Sequence, residues 1–83
     1  MAEVVETDRV SARVREAWEA VLGKRVADDA DFFALGGNSM AAMSISGRLE
    51  EEFRVRPKLR VLFDHPRFDD YVSEVSRILR EVP

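Results

Sequence analysis

Apolar residues recur at the helical period in three segments of this chain, and no segment shows sustained strand alternation between turn signals. Val10, Val14, Ala17, Trp18, Val21 and Leu22 form one stripe, which predicts a helix from Asp8 to Leu22 with Thr7 as N-cap and Gly23 as the glycine that ends it. Ala42, Ile45, Leu49 and Phe53 give the core face of a second helix, from Ser39 to Glu52 or Phe53. Pro57 breaks the chain, and Leu59, Leu62 and Phe63 mark a short helical piece. Pro66 fits the first position of a last helix, with Asp64 or His65 as its cap and Phe68, Val72, Val75 and Leu79 as its stripe, flanked by Tyr71 and Ile78. The expected fold is all-α: a small bundle of three main helices plus one short helix, with a long loop after the first. That loop, Lys24 to Asn38, exceeds ordinary helix connections, so something must pin it. Phe32, Phe33 and Leu35 are the expected pins, while Asp28, Asp29 and Asp31 stay in water.

Size bounds the function. Eighty-three residues make one domain, with residues 1–6 expected as a flexible tail. A core this small leaves little room for a deep substrate pocket. The chain has no cysteine, so packing alone holds it, and neither disulfides nor cysteine-based zinc sites are available. Net charge is −3 and no long basic stripe is evident, the basic residues alternating with acids; this argues against nucleic acid. The acidic start Met1-Ala2-Glu3-Val4-Val5-Glu6 is not a secretory signal, and no apolar run approaches the roughly 20 residues of a membrane span. The expectation is a cytoplasmic, monomeric protein that binds no membrane.

One serine stands out. Ser39 follows Gly36-Gly37-Asn38 and opens the second helix. Glycines there bare the hydroxyl, and the helix start offers free N–H groups and a positive dipole end that suit an anion. The plainest reading of Gly-Gly-x-Ser is a turn in which Asn38 or Ser39 caps the helix. A catalytic nucleophile fits poorly. Position 41 is Ala where a nucleophile elbow has Gly, and nothing brings the single histidine, His65, to Ser39; it reads as a turn or capping residue. A phosphate-binding P-loop is absent, since no Lys follows the glycines. Asp28, Asp29 and Asp31 lack calcium-loop spacing, and Glu50-Glu51-Glu52 reads as a solvated helix end offset by Arg54 and Arg56.

The longer stretch Asp31-Phe32-Phe33-x-Leu35-Gly36-Gly37-x-Ser39-Met40 resembles the core motif of thiolation domains, the peptidyl carrier proteins of nonribosomal peptide synthesis. The resemblance extends through the first amphipathic helix, the acidic loop, Ala42-Met43 and Leu62-Phe63-x-x-Pro66. It implies that Ser39 receives 4′-phosphopantetheine from coenzyme A, through a separate phosphopantetheinyl transferase with Mg²⁺. Leu35, Gly36, Gly37 and Asn38 would form the attachment loop. The arm's thiol would hold an aminoacyl or peptidyl group as a thioester for an adenylation enzyme and a condensation or tailoring enzyme, in antibiotic or other secondary metabolism. Such a carrier needs no catalytic group and no metal of its own.

On the helical wheel Ser39, Met40, Met43 and Gly47 share about 100° of arc away from the core face. Met suits a surface that must repack against several partners. Met40 is expected to touch partners; Met43 and Gly47 either do so or pack under the Leu59–Phe63 segment, where Arg60 and Val61 extend the patch. Gly47 costs the helix about 1 kcal/mol against Ala, so a close approach is expected there. Ser44, Ala41, Arg67 and Asn38 depart from the commonest thiolation pattern beside that surface, and bear on partner choice. The start at Met1 suggests a free-standing carrier. Acyl carriers of fatty-acid or polyketide type, aryl carriers and an unmodified helical interaction module are the alternatives; the acyl carriers usually show Asp-Ser-Leu where this chain has Asn38-Ser39-Met40, a mark that does not separate aryl carriers.

Overall fold

An apolar stripe on a helix is stable only against another apolar face, and the computed structural model shows how the stripes meet. The structure describes the backbone of residues 2–81 and the side chains of residues 8–81. Four helices follow in order: α1 (Ala2–Leu22), α2 (Ser39–Phe53), α3 (Leu59–Asp64) and α4 (Phe68–Glu81). α1 packs on α2 and on α4, while α3 bridges α2 and α4. The architecture is the expected all-α bundle, three long helices and a short one.

Trp18 is the centre of the core. It is wholly buried, edge-on to Phe32 at 5.5 Å and to Phe68 at 5.2 Å, with Tyr71 at 5.8 Å. One α1 side chain therefore joins the long loop and α4. Val14, Ile45, Leu49, Leu62 and Val75 fill the rest. Burying each such side chain contributes roughly 1.5–3 kcal/mol.

Three local expectations are corrected. α1 starts at Ala2 rather than Asp8, so Thr7 lies inside the helix instead of capping it, and the backbone of the expected tail is helical from Ala2. Ala2, Glu3 and Glu6 favour this, being good helix formers with acids at the positive dipole end. Pro66 does not open the last helix, which starts at Phe68. Its carbonyl instead accepts the Phe32 N–H at 2.8 Å, and Asp31 and Arg67 form an antiparallel bridge, which keeps the chain extended through Arg67. Neither Asp64 nor His65 caps α4. Loop carbonyls take its first amides, Phe68 N–H donating to Ala30 at 2.8 Å and Asp69 N–H to Asp28 at 3.0 Å, while Asp70 N–H donates to the Asp69 carboxylate at 2.8 Å. His65 closes α3, its N–H donating to the Val61 carbonyl at 3.0 Å.

The third correction concerns the loop pins. Phe32 is fully buried and Leu35 packs half-buried against the core, but Phe33 is 48% exposed. Neighbours in a tight turn cannot both point inward. The Phe33 ring stacks instead on Phe63 at 5.9 Å. Arg15 does unforeseen work on this loop. Its guanidinium donates to the Val26 carbonyl, pairs with Asp28 and lies 4.5 Å over the Phe68 ring.

Candidate functional site: the loop and helix start around Ser39

Side chain and backbone of residues 31–38 build a fixed approach to α2. The Asp31 carboxylate accepts the Ala34 N–H at 3.0 Å, and Leu35, Gly36 and Gly37 donate back to the carbonyls of Asp31, Phe33 and Phe32 at 3.0, 3.0 and 2.9 Å. Gly36 has φ 92°, a left-handed conformation that side chains disfavour. Gly37 serves a different end. A Cβ there would lie 2.5 Å from the Phe32 ring, so its bareness lets the loop close on the buried phenylalanine. Lys24, two residues beyond α1, donates its Nζ to the Leu35 carbonyl at 3.2 Å and ties the turn down.

Asn38 then caps α2. It is extended (φ −149°, ψ −175°), its side-chain oxygen accepts the Ala41 N–H at 2.9 Å, and its carbonyl accepts the Ala42 N–H at 2.9 Å. Of the two cap readings, Asn38 is the one realised. Ser39 is thereby the first helical residue, exposed and without a capping role. The first turn of a helix has unsatisfied N–H groups and the positive dipole end, and the first turn of α2 contains no acid to compensate them. An anion bound covalently at Ser39 fits that field. Among the described residues no group of three or more acids or histidines could hold a metal.

The expected partner residues sort by exposure. Met40 is 76% and Met43 50% exposed, so neither is buried beneath α3. Arg60 is exposed and pairs with Asp64 at 3.5 Å, while Val61 is half-buried against the core. Gly47 does not mark a close approach within the chain. A Cβ there would meet only the Arg56 guanidinium, at an ordinary 3.7 Å. Among the described residues the large exposed apolar ones are Phe33, Met40, Met43 and Phe63, all on the loop before α2, the first half of α2, or α3. The Phe33–Phe63 stack was missed from sequence; three apolar residues crowded into 32–35 are the signal that one must face outward. The triplet Glu50-Glu51-Glu52 is solvated as expected, Glu50 pairing with Arg56 at 3.0 Å and Glu52 with Arg13 at 3.3 Å.

A helical bundle with an exposed serine opening α2, the cap being made by its neighbour Asn38, is the arrangement of a carrier domain. The family whose profile matches residues 12–75 is described as the phosphopantetheine attachment site, and the chain belongs to that family, as a carrier domain of the nonribosomal peptide kind. It is 37% identical over 75 residues to N-(5-amino-5-carboxypentanoyl)-L-cysteinyl-D-valine synthase of Amycolatopsis lactamdurans, a match covering 89% of this chain and 2% of that enzyme. It is 39% identical over 70 residues to the phosphinothricin tripeptide synthetase PhsC of Streptomyces viridochromogenes, covering 83% of this chain and 6% of that protein. The chain thus spans a small fraction of these relatives. Among solved structures it resembles BlmI, a type-II acyl carrier protein from Streptomyces verticillus involved in bleomycin biosynthesis, with a TM-score of 0.86 and 29% identity over 94% of this chain and 95% of that one. It also resembles a chain in the complex of the phosphopantetheine transferase Sfp with coenzyme A and a peptidyl carrier protein, with a TM-score of 0.75 and 30% identity over 82% of this chain and 90% of that one. The family carries phosphopantetheine. No helix among the described residues is long and apolar enough to cross a membrane.

Proposed function

We propose that Ser39 is the attachment residue, and that the protein is a non-catalytic carrier of aminoacyl or peptidyl groups. The observation that carries this is the division of labour at the start of α2. Asn38 caps the helix and Gly37 closes the loop, which leaves the Ser39 hydroxyl exposed and unused by the fold. In the loading step the Ser39 oxygen would bond to the phosphorus that bears the pantetheine in coenzyme A. The bond from that phosphorus to the oxygen bridging the diphosphate would break, adenosine 3′,5′-bisphosphate would depart, and the serine proton would pass to a base of the transferase. The attached group supplies a thiol that holds the cargo as a thioester. The chain's own share is to expose the hydroxyl, hold it on a rigid helix and stabilise the phosphodiester by about 0.3–1 kcal/mol through the helix dipole.

Its partners on this reading are a phosphopantetheinyl transferase, an adenylation enzyme and a condensation or tailoring enzyme. They meet the protein, a cytoplasmic monomer, across Met40, Met43, Gly47, Arg60 and Val61. The test is mass spectrometry after incubation with coenzyme A and Sfp. One phosphopantetheine adduct on the wild type and none on Ser39→Ala is expected. An unmodified wild type, or an adduct that survives Ser39→Ala, overturns the assignment. Challenging the loaded protein with activated amino, aryl and acyl substrates then separates the peptidyl reading from an aryl or acyl one.

A further inference from the structure

The connection from α2 to α3 has a pattern that the helical stripes do not explain. From Phe53 to Val61 the residues alternate strictly: Phe53, Val55, Pro57, Leu59 and Val61 are buried or half-buried, while Arg54, Arg56, Lys58 and Arg60 are exposed. Basic residues alternate here with apolar ones, not with acids, and the stretch contains no acid. Residues 55–58 lie outside any helix, and in extended chain alternate side chains emerge on one side about 7 Å apart. Turning the apolar residues inward leaves Arg56 and Lys58 in solvent, with Arg54 before them at the left-handed C-cap of α2 (φ 64°) and Arg60 after them on α3. Arg54 and Lys58 form no ion pair among the described residues, while Arg56 pairs with Glu50 at 3.0 Å and Arg60 with Asp64 at 3.5 Å.

This segment borders the attachment face. The Arg56 guanidinium lies 3.7 Å from where a Gly47 Cβ would stand, on the side of α2 that also bears Met40 and Met43. At its other end α3 brings Phe63 onto Phe33 of the attachment loop. The cations thus line the flank of the surface that a loading enzyme must cover to reach Ser39.

We infer that the Arg54–Arg60 edge is an electrostatic docking strip for the transferase–coenzyme A complex. This rests on the carrier reading of Ser39. Coenzyme A has a diphosphate and a 3′-phosphate, so the complex that approaches Ser39 is locally anionic. Fixed cations on the flank of the docking face raise the encounter rate and favour one orientation, an effect that salt screens. A nucleic acid is a poorer occupant: four cations, two of them paired with acids, neutralise few phosphates, and the chain's net charge of −3 repels a long polyanion.

The experiment compares loading of wild type by Sfp and coenzyme A with two variants, Arg54→Gln/Lys58→Gln/Arg60→Gln and Arg54→Glu/Lys58→Glu/Arg60→Glu. Circular dichroism confirms that each is folded at the assay temperature. The expected result at low salt is a graded fall in kcat/KM, about tenfold or more for the Glu variant and less for the Gln variant. It should reside in KM with kcat kept, and should close as sodium chloride is raised to ~0.5 M, where screening is nearly complete over a few ångströms. A merely structural role for these residues would not produce that salt dependence. Equal kcat/KM for all three proteins at every salt concentration overturns the inference while leaving Ser39 loading intact. Tight retention of the wild type by duplex DNA at physiological salt overturns it in favour of a polyanion. Absence of any adduct on all three proteins overturns the carrier reading itself.

Discussion

Replacing Gly37 with Ala tests how the attachment loop is built. The new Cβ would stand 2.5–2.6 Å from three carbons of the Phe32 ring. Carbon atoms sit comfortably at about 3.5–4.0 Å, so the ring or the loop must yield by about 1 Å. The ring has nowhere to go, because Phe32 is wholly buried and rests edge-on against Trp18 at 5.5 Å. Overpacking of this kind costs about 1–3 kcal/mol. Ala also restricts the unfolded chain, which returns about 0.4–1 kcal/mol. The net loss is about 1–2 kcal/mol, and at 4–8 °C per kcal/mol for a domain of this size Tm should fall by roughly 5–15 °C. Thermal melts followed by far-ultraviolet circular dichroism read this directly. In a Phe32→Leu background, itself destabilised, the same Gly37→Ala change should cost less, because the obstructing ring is gone; a double-mutant cycle measures that coupling. A variant that melts at or above the wild-type temperature, or costs that simply add, would show that Gly37 is not there to admit Phe32.

Three other perturbations follow from the same geometry. Gly47→Ala meets no obstruction and should stabilise α2 by about 1 kcal/mol, raising Tm; if a partner enters at Gly47, KM for loading rises at the same time, and a loss of stability refutes the open-space reading. Met40→Glu should slow loading by Sfp without moving the unfolding midpoint, since Met40 is 76% exposed; unchanged loading removes Met40 from the docking face. Tyr71 has its hydroxyl buried without a hydrogen-bond partner, and burial holds its pKa above the usual value near 10. Its contribution is whole below pH about 10 and falls by about 1.4 kcal/mol per pH unit above it, as the unfolded state loses the proton first. Tyr71→Phe should therefore match or exceed wild-type stability at pH 7 and lack this alkaline component, measured by urea unfolding at pH 8 to 11.

The legible parts of the sequence were those governed by local periodicity. Val14, Trp18, Ile45, Leu49, Phe68 and Val75 lie in the core because their spacing leaves one face for burial. Gly23 ends α1 with φ 69° and its N–H donating to the Glu19 carbonyl at 2.9 Å. The start of the last helix was not legible, because Pro66 is placed by a strand-like pairing with residues more than thirty positions away. Phe33 escaped for a similar reason: composition says that a loop with three large apolar residues docks, but not which of them the turn points outward. At the site, the wheel placed Ser39, Met40 and Met43 on an open face correctly. It could not show that Gly47 has no close neighbour in the chain, or that Arg56 lies beside it, since both depend on the course of the α2–α3 connection.

The attachment loop is stitched to the α3–α4 joint by Phe32 to Pro66, Phe68 to Ala30 and Asp69 to Asp28 hydrogen bonds, with Arg15 clamping Val26 and Asp28 from behind. Fastened in this way, the segment before Ser39 has no slack in which to absorb a push on α3. A push on the α3–α4 joint should therefore move the loop before Ser39 with it or break these hydrogen bonds. Amide hydrogen exchange should then show Phe32, Phe68 and Asp69 opening as one unit.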